Sequence, residues 1–139
     1  NGSMTLNVSA RSDFDQTVAL AIASFAITST YGGVTSSQTL TNYNSSLKVS
    51  LAGGVTNWTS SVKGTMTSSA FDSKSVSIDT PVAFVRSGNQ AYPARGEAII
   101  LGAAGAKVRV TATRVTNVSI ERVADGDGSY ETTVNKRGS

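Results

Sequence analysis

The sequence predicts an all-β protein, a mainly antiparallel β-sandwich or open barrel of short strands. Three observations lead to this prediction: apolar and polar residues alternate with a period of two, Ser and Thr are abundant, and Gly, Asn, Asp and Pro interrupt the chain at short intervals. A chain of 139 residues can bury a core of its own. We therefore expect a single β domain over residues 1–139, in which residues 1–4 and 137–139 resemble vector-derived ends.

The clearest predicted strands are residues 46–52 and 107–113. In the first, Leu47, Val49 and Leu51 alternate with Ser and Lys, which gives one apolar and one polar face. We expect ten to twelve short strands in all. The other candidates are residues 5–10, 39–41, 55–58, 62–67, 76–78, 82–86, 97–101, 118–123 and 130–134.

Residues 17–27 can be interpreted in two ways. The alanines would suit a buried helix, which would change the fold to α+β, whereas Val18, Leu20 and Ile22 alternate as they would in a strand. We predict a strand, with small alanines on its other face that would let a second layer approach closely. The expected core comprises Leu47, Val49, Leu51, Val82, Phe84, Ile99, Leu101, Val108, Val110, Val118 and Ile120.

Composition excludes several classes of function. The chain has neither Cys nor His, so disulfides, thiolate metal sites and catalytic systems built on His or Cys are ruled out. A net charge of +3 and few, scattered aromatic residues argue against nucleic-acid binding. The longest apolar stretch, residues 18–27, is about half of what a transmembrane helix needs. We expect no catalytic residues and no membrane span.

The segment from Gly88 to Glu131 is the most distinctive part of the chain. It contains a Pro shortly before Gly96, a predicted strand, the turn GAAG at 102–105, a second strand, and then ADGDGSYE at 124–131. This succession resembles the C-terminal region of uncharacterised proteobacterial secreted proteins and lipoproteins. The resemblance covers about a third of the chain, and it departs from the pattern at Ala124, where an Asp is common. It implies a bacterial protein that is periplasmic, anchored to the outer membrane or secreted.

The loop after residue 123 carries the one metal-like motif. Calcium loops place carboxylates two residues apart before a Gly, and Asp125, Asp127 and Glu131 partly follow that spacing. The first ligand position falls on Val123, however, and Val134 stands where a Glu is expected. A hairpin turn explains the same residues. We expect no cofactor, with calcium as the ion that the motif leaves open.

Four further residues are candidates for ligand binding. Trp58 and Tyr92 are aromatic rings near predicted strand ends, where they could stack on a sugar or close one end of the core. Lys107 and Arg109 share the polar face of one predicted strand and could bind an anion, or simply be solvated. The partner suggested by these residues is a protein or a glycan.

An enzymatic function has little support in the sequence. Asp13 and Asp15 would share one face of an extended segment, as a carboxylate pair could, but exposed Asp residues also initiate turns. We therefore expect a non-enzymatic binding or structural module of a bacterial envelope or secreted protein. The alternatives are a calcium-stabilised adhesin-like or carbohydrate-binding domain, and a virion or surface-assembly subunit.

Overall fold

The computed structural model describes residues 2–12, 14–114 and 116–137, which form one antiparallel sheet of nine strands. Each strand pairs with the next along the chain, so the spatial order is the sequence order. The strands are β1 (Ser3–Ser12), β2 (Asp15–Tyr31), β3 (Val34–Ala52), β4 (Val55–Ser68), β5 (Ser75–Ser87), β6 (Arg95–Leu101), β7 (Lys107–Arg114), β8 (Asn117–Val123) and β9 (Thr132–Arg137). The predicted all-β, antiparallel class is confirmed.

The strands are fewer and longer than the sequence suggested. Residues 17–27 are confirmed as a strand, within the 17-residue β2, and residues 39–41 and 46–52 belong to the single 19-residue β3. Tight two-residue turns join β2 to β3 and β3 to β4. Both residues of each turn, Gly32-Gly33 and Gly53-Gly54, have positive φ, which suits the twist of a hairpin.

Irregular positions inside the strands explain why the sequence suggested separate pieces. In β3, Asn42 has a φ of 50° and lies where the pairing with β4 shifts register. In β5, the register shifts around Thr80 and Pro81, and the Thr80 hydroxyl takes over backbone hydrogen bonding by donating to the Val62 carbonyl and accepting from its N–H. The strands therefore continue through residues that would normally end them.

The strands form a single open layer. Of the predicted arrangements of antiparallel strands, the described residues form one open sheet, to which all nine strands belong. β1 and β9 are the two edge strands of the sheet, and in this strand order they do not pair with each other. Among the described residues, no helix is long and apolar enough to cross a membrane.

One side of the sheet is predominantly apolar, and we call it the apolar face. Residues paired across antiparallel strands point to the same side. Gly96 links the two halves of this face, because the Phe84 ring lies where a Gly96 side chain would be. Successive pairs place on it Val8, Val18, Leu47, Ser60 and Phe84 in β1–β5, and Ala98, Val110, Ile120 and Val134 in β6–β9.

The opposite side, the polar face, carries Ser, Thr, Asn and charged residues. A depression of about 480 Å³ on it is lined by residues that include Asn44, Ser46, Ser61 and Lys63. The alanines of β2 also lie here, where we expected close contact with a second layer. That expectation is wrong for the described residues, since the depression is open.

Few side chains are buried. The buried apolar residues are Ile22, Ala98, Ala112 and Val123, none of which was in the predicted core. Four predicted core residues are 40–48% exposed, namely Leu47, Leu51, Val82 and Leu101. Leu47 and Leu51 are exposed because burial of the apolar face requires a second layer, and one sheet provides none. Val82 and Leu101 are exposed because they lie on the polar face, paired with Glu97 and Lys107.

Candidate functional site

The loop between β8 and β9 brings together the three predicted metal ligands. Carboxylate oxygens of Asp125, Asp127 and Glu131 all lie within 4.8 Å of one another, on exposed residues. Gly126 and Gly128 make this possible, because both adopt positive φ values that tighten the loop. The spacing seen in the sequence therefore does produce a cluster of oxygen ligands.

The same carboxylates also hold the loop together. Glu131 accepts backbone N–H groups of Ala124, at 3.1 Å to each carboxylate oxygen, and of Asp125. Asp125 accepts the N–H of Asp127, and Asp127 accepts that of Ser129. The hydrogen bond from Asp127 is the main reason why the pKa of Asp125 is lowered. These contacts are those of a capped turn.

A neighbouring turn fixes the position of this loop. Gly105 and Gly126 approach so closely that a side-chain carbon on Gly105 would lie 2.9 Å from the Cα of Gly126. The Tyr130 ring extends from the loop over β7, with the Arg109 guanidinium 4.3 Å and the Lys107 ammonium 5.5 Å from its centroid. Among the described residues, the buried Tyr130 hydroxyl has no hydrogen-bond partner.

The predicted cationic pair therefore has partners within the chain. Lys107 and Arg109 do share a face of β7, as predicted. Arg109 donates from Nε to Glu121 at 2.6 Å, and this bond lowers the pKa of Glu121 and raises that of Arg109. Glu121 therefore pairs with Arg109, and the Tyr130 ring lies against both cations.

The predicted aromatic residues lie elsewhere. Trp58 lies on the apolar face, paired with Arg86, whose guanidinium is 4.5 Å from the indole ring. Together with Phe84 and Pro93 they line a depression of about 470 Å³. Tyr92 is half-buried in the segment between β5 and β6. The structure therefore does not bring the four predicted ligand-binding residues into one site.

The carboxylate pair considered for catalysis is not seen as a pair. Asp13 lies outside the described residues. The Asp15 carboxylate lies 3.4 Å from the Lys48 ammonium; the Lys48 side chain is exposed and that of Asp15 is partly exposed. Nothing in these contacts makes Asp15 a general base.

The most extensive candidate site is the apolar face itself, which residue-by-residue analysis of the sequence missed. The chain exposes 9070 Å². A compact monomer of 14.3 kDa exposes about 6,800 Å². Deep within the face, Leu40, Tyr43, Met66 and Ile100 line an apolar depression of about 240 Å³. The alternation in residues 46–52 was the signal: it gave the apolar side correctly but could not show that the side is uncovered.

Comparisons with known proteins found no matching family model, no matching curated protein and no matching solved structure.

Proposed function

We propose that this protein is a non-enzymatic structural subunit, which assembles with copies of itself by packing their apolar faces together. The observation that carries the proposal is the surface that one chain leaves exposed, roughly 2,300 Å² more than a compact monomer of its size. Part of that surface is the apolar face, and large contiguous apolar patches mark interaction surfaces in soluble proteins.

The excess is total area, from the apolar and polar faces together, and it is of the order that a permanent interface buries. A standard interface buries about 800 Å² on each partner, and obligate interfaces bury about 1,000–2,500 Å². Such interfaces resemble a domain core cut in half. Covering one apolar face with another would turn two single layers into a two-layer sandwich, and would bury Val18, Leu47 and Phe84 as core residues.

The chemistry of the face favours a second copy over a glycan. Much of the face is aliphatic, including Val8, Val18, Leu47, Val110 and Ile120, and aliphatic carbon offers no partner to sugar hydroxyls. A second apolar face matches it in both size and chemistry. Two copies related by a twofold axis present the same patch to each other, which is the commonest arrangement in homo-oligomers.

The location of the protein in or outside the cell is a further part of the proposal. The resemblance of residues 88–131 to bacterial secreted proteins and lipoproteins supports a role in the envelope or outside the cell. An assembled sheet protein would serve there as a scaffold or surface layer. Turnover of a substrate that is abolished by Asp125→Asn would contradict the non-enzymatic part.

A lysine within the apolar face tests the proposal. Leu47 is 41% exposed in the single chain and lies on this face in β3, between β2 and β4. We expect Leu47→Lys to weaken assembly at least about 100-fold, since a charge in an apolar interface costs about 3 kcal/mol. The measurement is the molar mass in solution by light scattering, over a wide range of protein concentration.

Ser46→Lys is the matched control, because Ser46 is the adjacent residue in β3 and lies on the polar face. We expect this variant to assemble like the wild type. A wild type that remains monomeric at every concentration, with the far-ultraviolet circular dichroism of a folded β protein, would overturn the proposal. Equal loss of assembly in both lysine variants would also overturn it.

A calcium-stabilised domain is the second candidate, favoured by the convergence of Asp125, Asp127 and Glu131. On this proposal we expect calcium to raise the melting temperature relative to chelator, because an ion that binds the folded state stabilises it. The double variant Asp125→Asn/Asp127→Asn should lose the calcium-dependent rise. An unchanged melting temperature of the wild type would mean that the carboxylates serve only as turn caps.

A further inference from the structure

The outer edge of β1 presents a long run of backbone with no strand beside it. β1 spans ten residues, all of them exposed, and pairs on one side with β2. Within the described residues, the sheet has no strand beyond it. Alternate N–H and C=O groups of an edge strand point outward and can pair with another strand.

The middle of β1, between the register shifts at its two ends and before Arg11, lacks the usual protection against such pairing. Edge strands are commonly protected by Pro, Lys or bulges. Between Met4 and Ala10 the register with β2 is regular, and these positions contain neither Pro nor a charged residue. Met4, Leu6 and Val8 lie on the apolar face and are 61–68% exposed. This edge is therefore suited to strand addition.

We propose that β1 pairs antiparallel with β1 of a second copy, about a twofold axis perpendicular to the sheet. The inference rests on the proposed function and deepens it by naming a second contact. It would join two sheets into one of eighteen strands with a continuous apolar face. Stacking of two such sheets through the apolar face would then complete a closed tetramer.

The topology favours this pairing over a contact between β1 and β9. In a meander of nine antiparallel strands, the first and last strands run in the same direction. Joining β9 to β1 of another copy, with both apolar faces on one side, would thus require a parallel pair. A twofold axis at β1 gives an antiparallel pair, which is slightly more stable per residue. β9 is also shorter, at six residues.

The apolar residues define the register. If the pairing of the two β1 strands were shifted by one residue, the apolar residues of one copy would lie opposite the polar-face residues of the other. Among the remaining registers, one pairs all four apolar residues of β1 with each other: Met4 with Ala10, and Leu6 with Val8. In that register the twofold axis passes beside Asn7, and Thr5 lies opposite Ser9 of the second copy.

Single cysteines test the register directly, because the wild-type chain contains none. Directly opposed residues have Cα atoms about 4.5–5.5 Å apart, which permits a disulfide. We expect Asn7→Cys to form a covalent dimer under mild oxidation. Thr5→Cys or Ser9→Cys alone should react at least about tenfold more slowly, because each would be about 13 Å from its copy. A mixture of the two single variants should form the heterodimer.

The outcomes separate this inference from the proposed function. If the wild type assembles but the three cysteines oxidise at equal rates, or if Asn7→Cys forms no dimer, the β1 contact is wrong and the assembly through the apolar face stands. If the wild type is monomeric, the proposed function fails first. Preferential cross-linking at Asn7 that persists in Leu47→Lys would show that the edge contact forms independently of the face.

Discussion

Replacing Gly96 with alanine is expected to lower the free energy of unfolding by about 4 kcal/mol. Gly96 has a φ of 146°, a conformation that residues with a side chain rarely adopt and that costs about 1–3 kcal/mol. A side-chain carbon would also lie 2.6 Å from the Cα of Phe84, and overpacking of this kind costs about 1–3 kcal/mol. Urea unfolding followed by tryptophan fluorescence would measure the change.

Gly53→Ala is the control for the backbone contribution. Gly53 also has positive φ, at 59°, but an added side-chain carbon would meet no atom within 4 Å. Gly53→Ala should therefore lower the free energy of unfolding by about 1–2 kcal/mol, from the backbone conformation alone. Equal losses in the two variants would show that the contact between Gly96 and Phe84 contributes nothing.

Replacing Val123 with a charged residue is expected to lower the free energy of unfolding by a similar amount. Val123 is 1% exposed and is the most deeply buried large side chain among the described residues. It ends β8 and pairs with Lys107, which lies near the Tyr130 ring. We expect Val123→Asp to lower the free energy of unfolding by about 4 kcal/mol at neutral pH, because a buried carboxylate loses its hydration. Thermal and urea unfolding would measure the loss.

Val34→Asp makes the same chemical change at an exposed position. Val34 is 72% exposed and lies at the hairpin between β2 and β3. The Val34→Asp substitution should change the free energy of unfolding by no more than about 0.5 kcal/mol. If Val123→Asp is tolerated as well as Val34→Asp, Val123 is not buried in solution.

Local alternation predicted the strand type but not the strand length. The period of two in residues 46–52 and 107–113 identified β3 and β7 with their apolar sides, because side chains of a strand alternate whatever lies beyond. The same alternation also correctly predicted a strand, rather than a helix, for residues 17–27. It could not show that β3 continues through Asn42, since a bulge depends on pairing with neighbouring strands.

Local spacing likewise predicted the carboxylate cluster but not the separation of the other candidates. Asp125, Asp127 and Glu131 are close in sequence, so a tight turn suffices to bring them together. Trp58 and Arg109 are distant in sequence, and their placement on opposite faces follows from the register of the intervening strands. No motif within either strand encodes that register.

The sequence by itself determined the all-β class and the apolar side of the main strands, because these follow from local backbone preference and side-chain alternation. Only the tertiary structure decided that nine strands form one open layer, and that Leu47 and Leu51 remain exposed on its apolar face. The physical reason is that alternation shows which side of a strand avoids water, whereas burial depends on a second surface. Here that surface is not supplied by the described part of the chain, and we propose that a second copy supplies it.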